Sequence, residues 1–239
     1  LAAMGAKPAF FTLGLTLPQS DPQWLSGLAQ GMAELAEPIG LVLVGGDTTK
    51  GPLTISLQVH GYIEPEFVVS RAGAKVGDDI YVTGVLGDAA AAVPIMTGEM
   101  MVKGELYEHF YEAYWRPQSR LIAAMALKRV VSSMLDISDG LVQDIQHILK
   151  ASAVGAHIDA TQVPISDVLK QWQPEAALQL ALTGGDDYEL CFSAPESARE
   201  EIALITQTLH LPCTRIGQIT DSGFNVEGYD GHFEGWQHF

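Results

Sequence analysis

Positive charge is what this sequence has least of. Across 239 residues, 13 Lys and Arg stand against 29 Asp and Glu, a formal net charge of −16. Such a field repels a nucleic-acid backbone and an anionic membrane surface, so neither is expected as a partner. Cysteine is nearly missing as well. Cys191 and Cys213 are too few and too far apart for a metal knuckle or a disulfide framework, and read as buried free thiols. No apolar run reaches the roughly 18 residues needed to cross a bilayer, and the opening LAAMGAKPAF lacks the basic flank and cleavage pattern of a signal peptide. The expected location is therefore the cytoplasm. The seven histidines show no HxxxH spacing, which leaves zinc chemistry without support. Also missing are a GxxxxGKS/T phosphate loop, a GxGxxG turn after the first strand, the HRD and DFG pair and a GxSxG nucleophile elbow. The common nucleotide folds are poor candidates on that ground.

What is present suffices for a sizeable core, with 47% hydrophobic residues against 18% charged, in one two-lobed unit or two small domains. FFTLGLTL reads as a strand, and Asp21 stands at a helix cap before Trp24, Leu25, Leu28, Met32 and Leu35 at helical spacing. GLVLV and LTISLQVHGYI read as strands, and a boundary is expected near residue 68. Beyond it DIYVTG, GAHIDA, DYELCFSA, CTRIGQI and GFNVEGY suggest strands. LGDAAAAVPIMTG, LYEHFYEAYWRPQSRLIAAMALKR with a break at Pro117, AALQLAL and REEIALITQTLH suggest helices. MLDISDG passes from strand to helix, with Leu141, Ile145, Ile148 and Leu149 on the inner face and Asp144 off it.

Three acidic turns follow apolar segments: GGDTT with Asp47, MLDISDGL with Asp136 and Asp139, and LTGGDDYEL with Asp186 and Asp187. Glycine lets the backbone approach a ligand, and a short carboxylate beside it is held with little loose motion. That suits a hard cation such as magnesium, which takes one or two carboxylates, waters and substrate phosphates. In so acidic a chain, bound phosphates would need divalent cations as mediators. Taken singly, an Asp beside glycine is by default a turn or cap residue, and this holds for Asp47, Asp139 and Asp187. Asp136 differs because it interrupts an apolar strand, where it needs either a metal or a fixed hydrogen-bond partner. Arg71 is by default a surface cation, though its planar fork suits phosphate oxygens. Trp236 reads as a core residue pinning the tail.

GGDTTKGPLTISLQVHGYI, RAGAKVGDDIYVTGVLGDAAA, MLDISDGLVQDIQHILKAS, GAHID and ALTGGDDYELCF, in this order and spacing, resemble the thiamine-monophosphate kinase family. That family belongs to the aminoimidazole ribonucleotide synthetase-like (PurM-like) superfamily. The resemblance implies an α/β (α+β) fold of two PurM-like lobes, here residues 1–68 and 69–239, with mixed sheets packed against helices. It also implies a homodimer through the N-terminal lobes, ATP and thiamine monophosphate as substrates, and several magnesium ions between them. By the same resemblance Gly46, Asp47, Arg71 and Ser138 contact ATP, and Asp47, Asp136 and Asp139 hold magnesium. Asp186, where the family usually has glutamate, and Trp236 contact thiamine phosphate. An indole face beneath a thiazolium cation would contribute about 0.5–2 kcal/mol.

The expected chemistry is direct in-line transfer of the γ-phosphoryl group. A phosphate monoester oxygen is already an anionic nucleophile, so no catalytic base is called for. No histidine or serine stands in a nucleophile arrangement, which argues against a phosphoenzyme. Family members begin upstream of Leu1 with a segment carrying further aspartates. Without that segment the metal cluster would be incomplete, and this piece alone is expected to have little kinase activity. The alternatives are a non-catalytic nucleotide-binding or dimerisation module, or another ATP-dependent synthetase of the superfamily.

Overall fold

The computed structural model describes residues 1–231; Trp236 lies outside them. The chain divides into two units, Leu1 with Ala6–Glu66, and Ala2–Gly5 with Phe67 onward.

In the first unit, β1 (Lys7–Leu17) is the centre of a three-stranded sheet, parallel to β2 (Val42–Lys50) and antiparallel to β3 (Thr54–Tyr62). Between β1 and β2 runs α1 (Pro22–Ala36). Asp21 starts it as expected: its carboxylate accepts the Gln23 and Trp24 N–H groups at 2.9 and 3.2 Å, and Pro22 takes the first helical position. Leu25, Leu28 and Met32 are partly buried, whereas Trp24 and Leu35 stay exposed.

The GGDTT stretch is not the turn that its glycines suggest. It lies inside β2, and its position depends on a bulge. Phe11 pairs with Leu43 but Thr12 pairs with Gly45, so Val44 is an extra residue. Side chains alternate faces along a strand, and one inserted residue moves everything after it to the opposite face. Asp47 therefore lies across from Gly14 and Thr49 across from Thr16, with Ser56 and Thr54 beyond them on β3. Without the bulge Asp47 would share a face with Leu43, Phe11 and Val59. Gly46 is required where it stands, because at φ +154° a Cβ would press into the Leu13 carbonyl.

The second unit carries β4 (Asp79–Thr83), β5 (Ser133–Asp136), β6 (Gly155–Asp159), β7 (Leu190–Ala194), β8 (Cys213–Thr220) and β9 (Phe224–Glu227) in one sheet, ordered β5-β7-β4-β8-β6-β9. All neighbours are antiparallel except β6 and β9. Its helices are α2 (Asp88–Met96), α3 (Glu105–Trp115), α4 (Leu121–Leu127), α5 (Leu141–Ser152), α6 (Asp167–Trp172), α7 (Ala177–Thr183) and α8 (Arg199–Thr208). Strand β4 is buried along its whole length, so its alternate residues feed two cores. Ile80 and Val82 pack with Leu135, Ile137 and the α5 residues Leu141, Ile145 and Ile148. Tyr81 faces the other way, stacks on Phe192 at 5.2 Å, and joins Met134, Leu127 and Ile202 from α4 and α8. A satellite core of Ala92, Ile95, Phe110 and Leu169 ties α2, α3 and α6 together.

Candidate functional site

Strands β4 and β5 are each antiparallel to β7, so the segments that follow β4 and β5 and the one that precedes β7 meet at a single end of the sheet. The N-termini of α2 and α5 lie at that end, where exposed helix amides favour negative charge.

Asp136 is the last residue of β5, paired with Leu190 across the ladder and partly buried. Ile137 to Gly140 form a loop, and α5 begins at Leu141 with Gly140 at the cap, so Asp139 precedes the helix rather than opening it. Asp144 holds this loop. Sequence periodicity sets it off the buried face, yet it is buried because a single carboxylate oxygen accepts the N–H groups of Ser138, Asp139 and Gly140, at 2.9, 2.9 and 3.1 Å. Burial pushes its carboxyl above the usual range, against the pull of those three amides. The one sequence signal for it is an acid one turn after a glycine at a helix start.

The second loop, Gly184 to Glu189, is laced to the first. The Asp186 and Tyr188 N–H groups donate to the Ser138 and Ile137 carbonyls, both at 2.9 Å, and the Ile137 N–H donates to the Glu189 carbonyl at 2.8 Å. Two glycines permit this approach: a Cβ on Gly140 would meet the Thr183 carbonyl, and one on Gly185 the Ser138 carbonyl. Inward and outward residues then alternate. Asp187 turns onto the N-terminus of α2, where its carboxylate accepts the Gly87 N–H at about 3 Å. The residue keeps partial exposure while its carboxylate is desolvated, and that burial pushes its pKa up to about 8. Glu189 is buried against Thr83 and Arg120. Asp186 and Tyr188 face solvent, with the Tyr188 hydroxyl donating to Asp186 at 3.0 Å. Both take left-handed backbone, at φ +67° and +51°.

The structure thus brings Asp136, Ser138, Asp139 and Asp186 together around Tyr188. Partial burial raises the Tyr188 phenol's pKa, and so do the Asp186 hydrogen bond and the charges of Asp186, Asp136 and Asp139. The carboxylates of Asp136 and Asp139 make no hydrogen bond or ion pair among the described residues. No three His, Cys, Asp or Glu side chains among the described residues converge to hold a metal. Magnesium asks for less, since phosphates and waters complete its oxygen shell, and two unpartnered carboxylates at a phosphate-favouring helix terminus fit that requirement.

Gly46 and Asp47 belong to the first unit, on the polar face described above. Arg71 lies beside the start of β5, where the carbonyl of the preceding Ser70 accepts the Met134 N–H at 3.3 Å. The Arg71 carbonyl accepts the Ser152 hydroxyl at 2.8 Å, which anchors it at the C-terminal end of α5.

The chain matches two family descriptions, "AIR synthase related protein, N-terminal domain" over residues 1–63 and "AIR synthase related protein, C-terminal domain" over residues 75–228. The thiamine-monophosphate kinase of Escherichia coli strain K12 is 41% identical over 250 residues, spanning 100% of this chain and 76% of that protein. The chain belongs to the thiamine-monophosphate kinase family. A crystal structure of the family member from Stenotrophomonas maltophilia K279a has a TM-score of 0.91 at 39% identity, covering 97% of this chain and 75% of that one. A ThiL structure complexed with AMPPCP and TMP has a TM-score of 0.87 at 28% identity, covering 100% and 76%. The mixed α/β architecture with two mixed sheets is the one that the family resemblance implied.

Proposed function

We propose that the protein transfers the γ-phosphoryl group of ATP to thiamine monophosphate, forming thiamine diphosphate. The observation that carries this is membership of the kinase family along the whole chain, joined to two laced loops that present carboxylates without a partner among the described residues at the N-terminus of α5.

An anionic phosphate monoester must approach the polyanionic tail of ATP in a chain that is itself acidic, so charge is the principal obstacle. Magnesium, when bound, supplies the positive charge that offsets it. In our reading Asp47, Asp136 and Asp139 would hold the ions, and Gly46 contacts the nucleotide. The Ser138 hydroxyl, fixed by the Asp144 brace on its own backbone, contacts ATP. Asp186 contacts thiamine phosphate, and Trp236 is given the role of an aromatic surface for its thiazolium cation. No side chain need remove a proton from the attacking phosphate oxygen, so the residues serve to position and to neutralise. Arg71 is given a contact with ATP, where its guanidinium adds fixed positive charge.

We further infer that the protein is a cytoplasmic homodimer. Ile55, Leu57 and Val59 share one face of β3 and are 43%, 51% and 44% exposed, an apolar row suited to a second copy. No helix among the described residues is long and apolar enough to cross a membrane.

The test is to incubate the protein, carrying the upstream segment that family members have, with ATP, magnesium and thiamine monophosphate and to separate the products by chromatography. Thiamine diphosphate and ADP should form in equal amounts. Binding of ATP with no thiamine diphosphate would overturn the reading in favour of a nucleotide-binding module.

A further inference from the structure

We propose that Arg120 is a positioning residue for the substrate loop: with Thr83 it clamps Glu189, and this clamp keeps Asp186 and Tyr188 turned outward beside Asp136 and Asp139. The inference rests on the assignment of Asp186 to thiamine phosphate made above.

The segment from Asp186 to Tyr188 holds two non-glycine residues in left-handed backbone within three positions. Such backbone is costly for any residue but glycine, and a bulky aromatic is an unusual occupant. A conformation of that kind persists only where its surroundings over-determine it. The amide bonds to Ile137 and Ser138 fix the outer edge of the loop, and Glu189 fixes its inner end. The Arg120 guanidinium grips Glu189 with both Nε, at 2.6 Å, and Nη2. The Thr83 hydroxyl donates to the same carboxylate at 2.6 Å and accepts the Leu190 N–H at 2.9 Å, which ties the clamp to the first residue of β7. Gly84 forms the wall, since a Cβ there would overlap the Glu189 carboxyl.

Net stability does not account for this arrangement. The two side chains are 22% and 8% exposed, and an ion pair so far withdrawn from water adds little over an apolar pair of equal volume. Its distinguishing property is direction. A bidentate fork fixes both carboxylate oxygens, hence the Glu189 backbone, and hence the strained residues just before it. Arg120 reaches the loop from the start of α4, on a part of the chain that makes none of the proposed substrate contacts.

Three variants, Arg120→Gln, Arg120→Lys and Thr83→Val, distinguish positioning from bulk stability. Hydrogen–deuterium exchange of the unliganded protein should show the Asp186 and Tyr188 amides exchanging about tenfold faster or more in Arg120→Gln, with β8 and α8 unchanged. Thiamine monophosphate affinity, by calorimetry, should fall by about the same factor. Arg120→Lys keeps the charge without the fork and should fall between. A clamp that is merely structural would lower the urea midpoint while leaving loop exchange and the affinity of folded protein at wild-type values, and that result overturns the proposal. If Arg120→Gln does not fold, Thr83→Val must show the same two changes in smaller degree, and wild-type loop exchange there overturns it equally. Failure of the wild-type protein to bind thiamine monophosphate would instead sink the functional reading, while the exchange measurement still decides the clamp.

Discussion

Replacing Asp144 with alanine should unfasten the loop that carries Asp136 and Asp139. One carboxylate oxygen accepts three backbone N–H groups there, each bond worth about 0.5–1.5 kcal/mol net. Against this stands the desolvation that raises the Asp144 carboxyl above its usual range, a cost the alanine variant escapes. The balance is a loss of about 2–3 kcal/mol, at or above the upper end for removing a helix cap. Asp144→Asn separates shape from charge. Its amide oxygen can occupy the accepting position, while its NH2 group replaces an oxygen that makes no hydrogen bond among the described residues. A loss of only about 1 kcal/mol is expected. Urea unfolding of the three proteins at pH 7, followed by circular dichroism, measures both differences. The alanine variant should also lose turnover under conditions where it remains folded, since its loop amides are left to solvent. An alanine variant within about 0.5 kcal/mol of wild type, or an asparagine variant as damaged as the alanine one, would refute the reasoning.

Asp187→Asn addresses pH. The folded pKa of Asp187 is about 8, against about 3.9 in an unfolded chain. Between those values the folded protein keeps a proton that the unfolded chain releases, so stability falls as pH rises, by up to about 1.4 kcal/mol per pH unit. Asparagine should remove that slope and leave the variant the more stable protein near pH 8; parallel stability curves for the two from pH 5 to 9 would contradict this. Gly140→Ala should cost about 1–3 kcal/mol, because φ is +117° and the new methyl group meets the Thr183 carbonyl. Gly31→Ala, in α1 with open space around it, should instead gain up to about 1 kcal/mol. Thermal melts of the pair test both signs.

Most elements were readable because their signals are local. Asp21 caps α1 by bonds to its own neighbours, Pro117 falls between α3 and α4, and the alternation in LTISLQVHGYI gives β3. The bulge at Val44 was not readable. LVLVGG looks the same with or without an extra residue, and only pairing with Phe11 and Thr12 reveals that the phase has changed. The grip of Arg120 on Glu189 joins residues 69 apart in sequence, with no local trace in either segment.

The acids show the same division more sharply. DISDGLVQD and GGDDYE each contain two kinds of carboxylate that composition cannot tell apart. Asp144, Asp187 and Glu189 are taken up by backbone amides or by a guanidinium and turned inward. Asp136 and Asp139 are left without a hydrogen-bond or ion-pair partner among the described residues, and Asp186 has only the Tyr188 hydroxyl. An acid beside a glycine reads in sequence as a turn or cap residue, whereas in the structure glycine is what lets Gly140 and Gly185 lie against opposing carbonyls. The pattern could not say which acid this approach would hold in place and which it would leave facing solvent. That depends on where amides and guanidinium groups arrive from other elements. The inward acids therefore set the loop geometry, and the outward ones are available for ligand because that geometry does not need their charge.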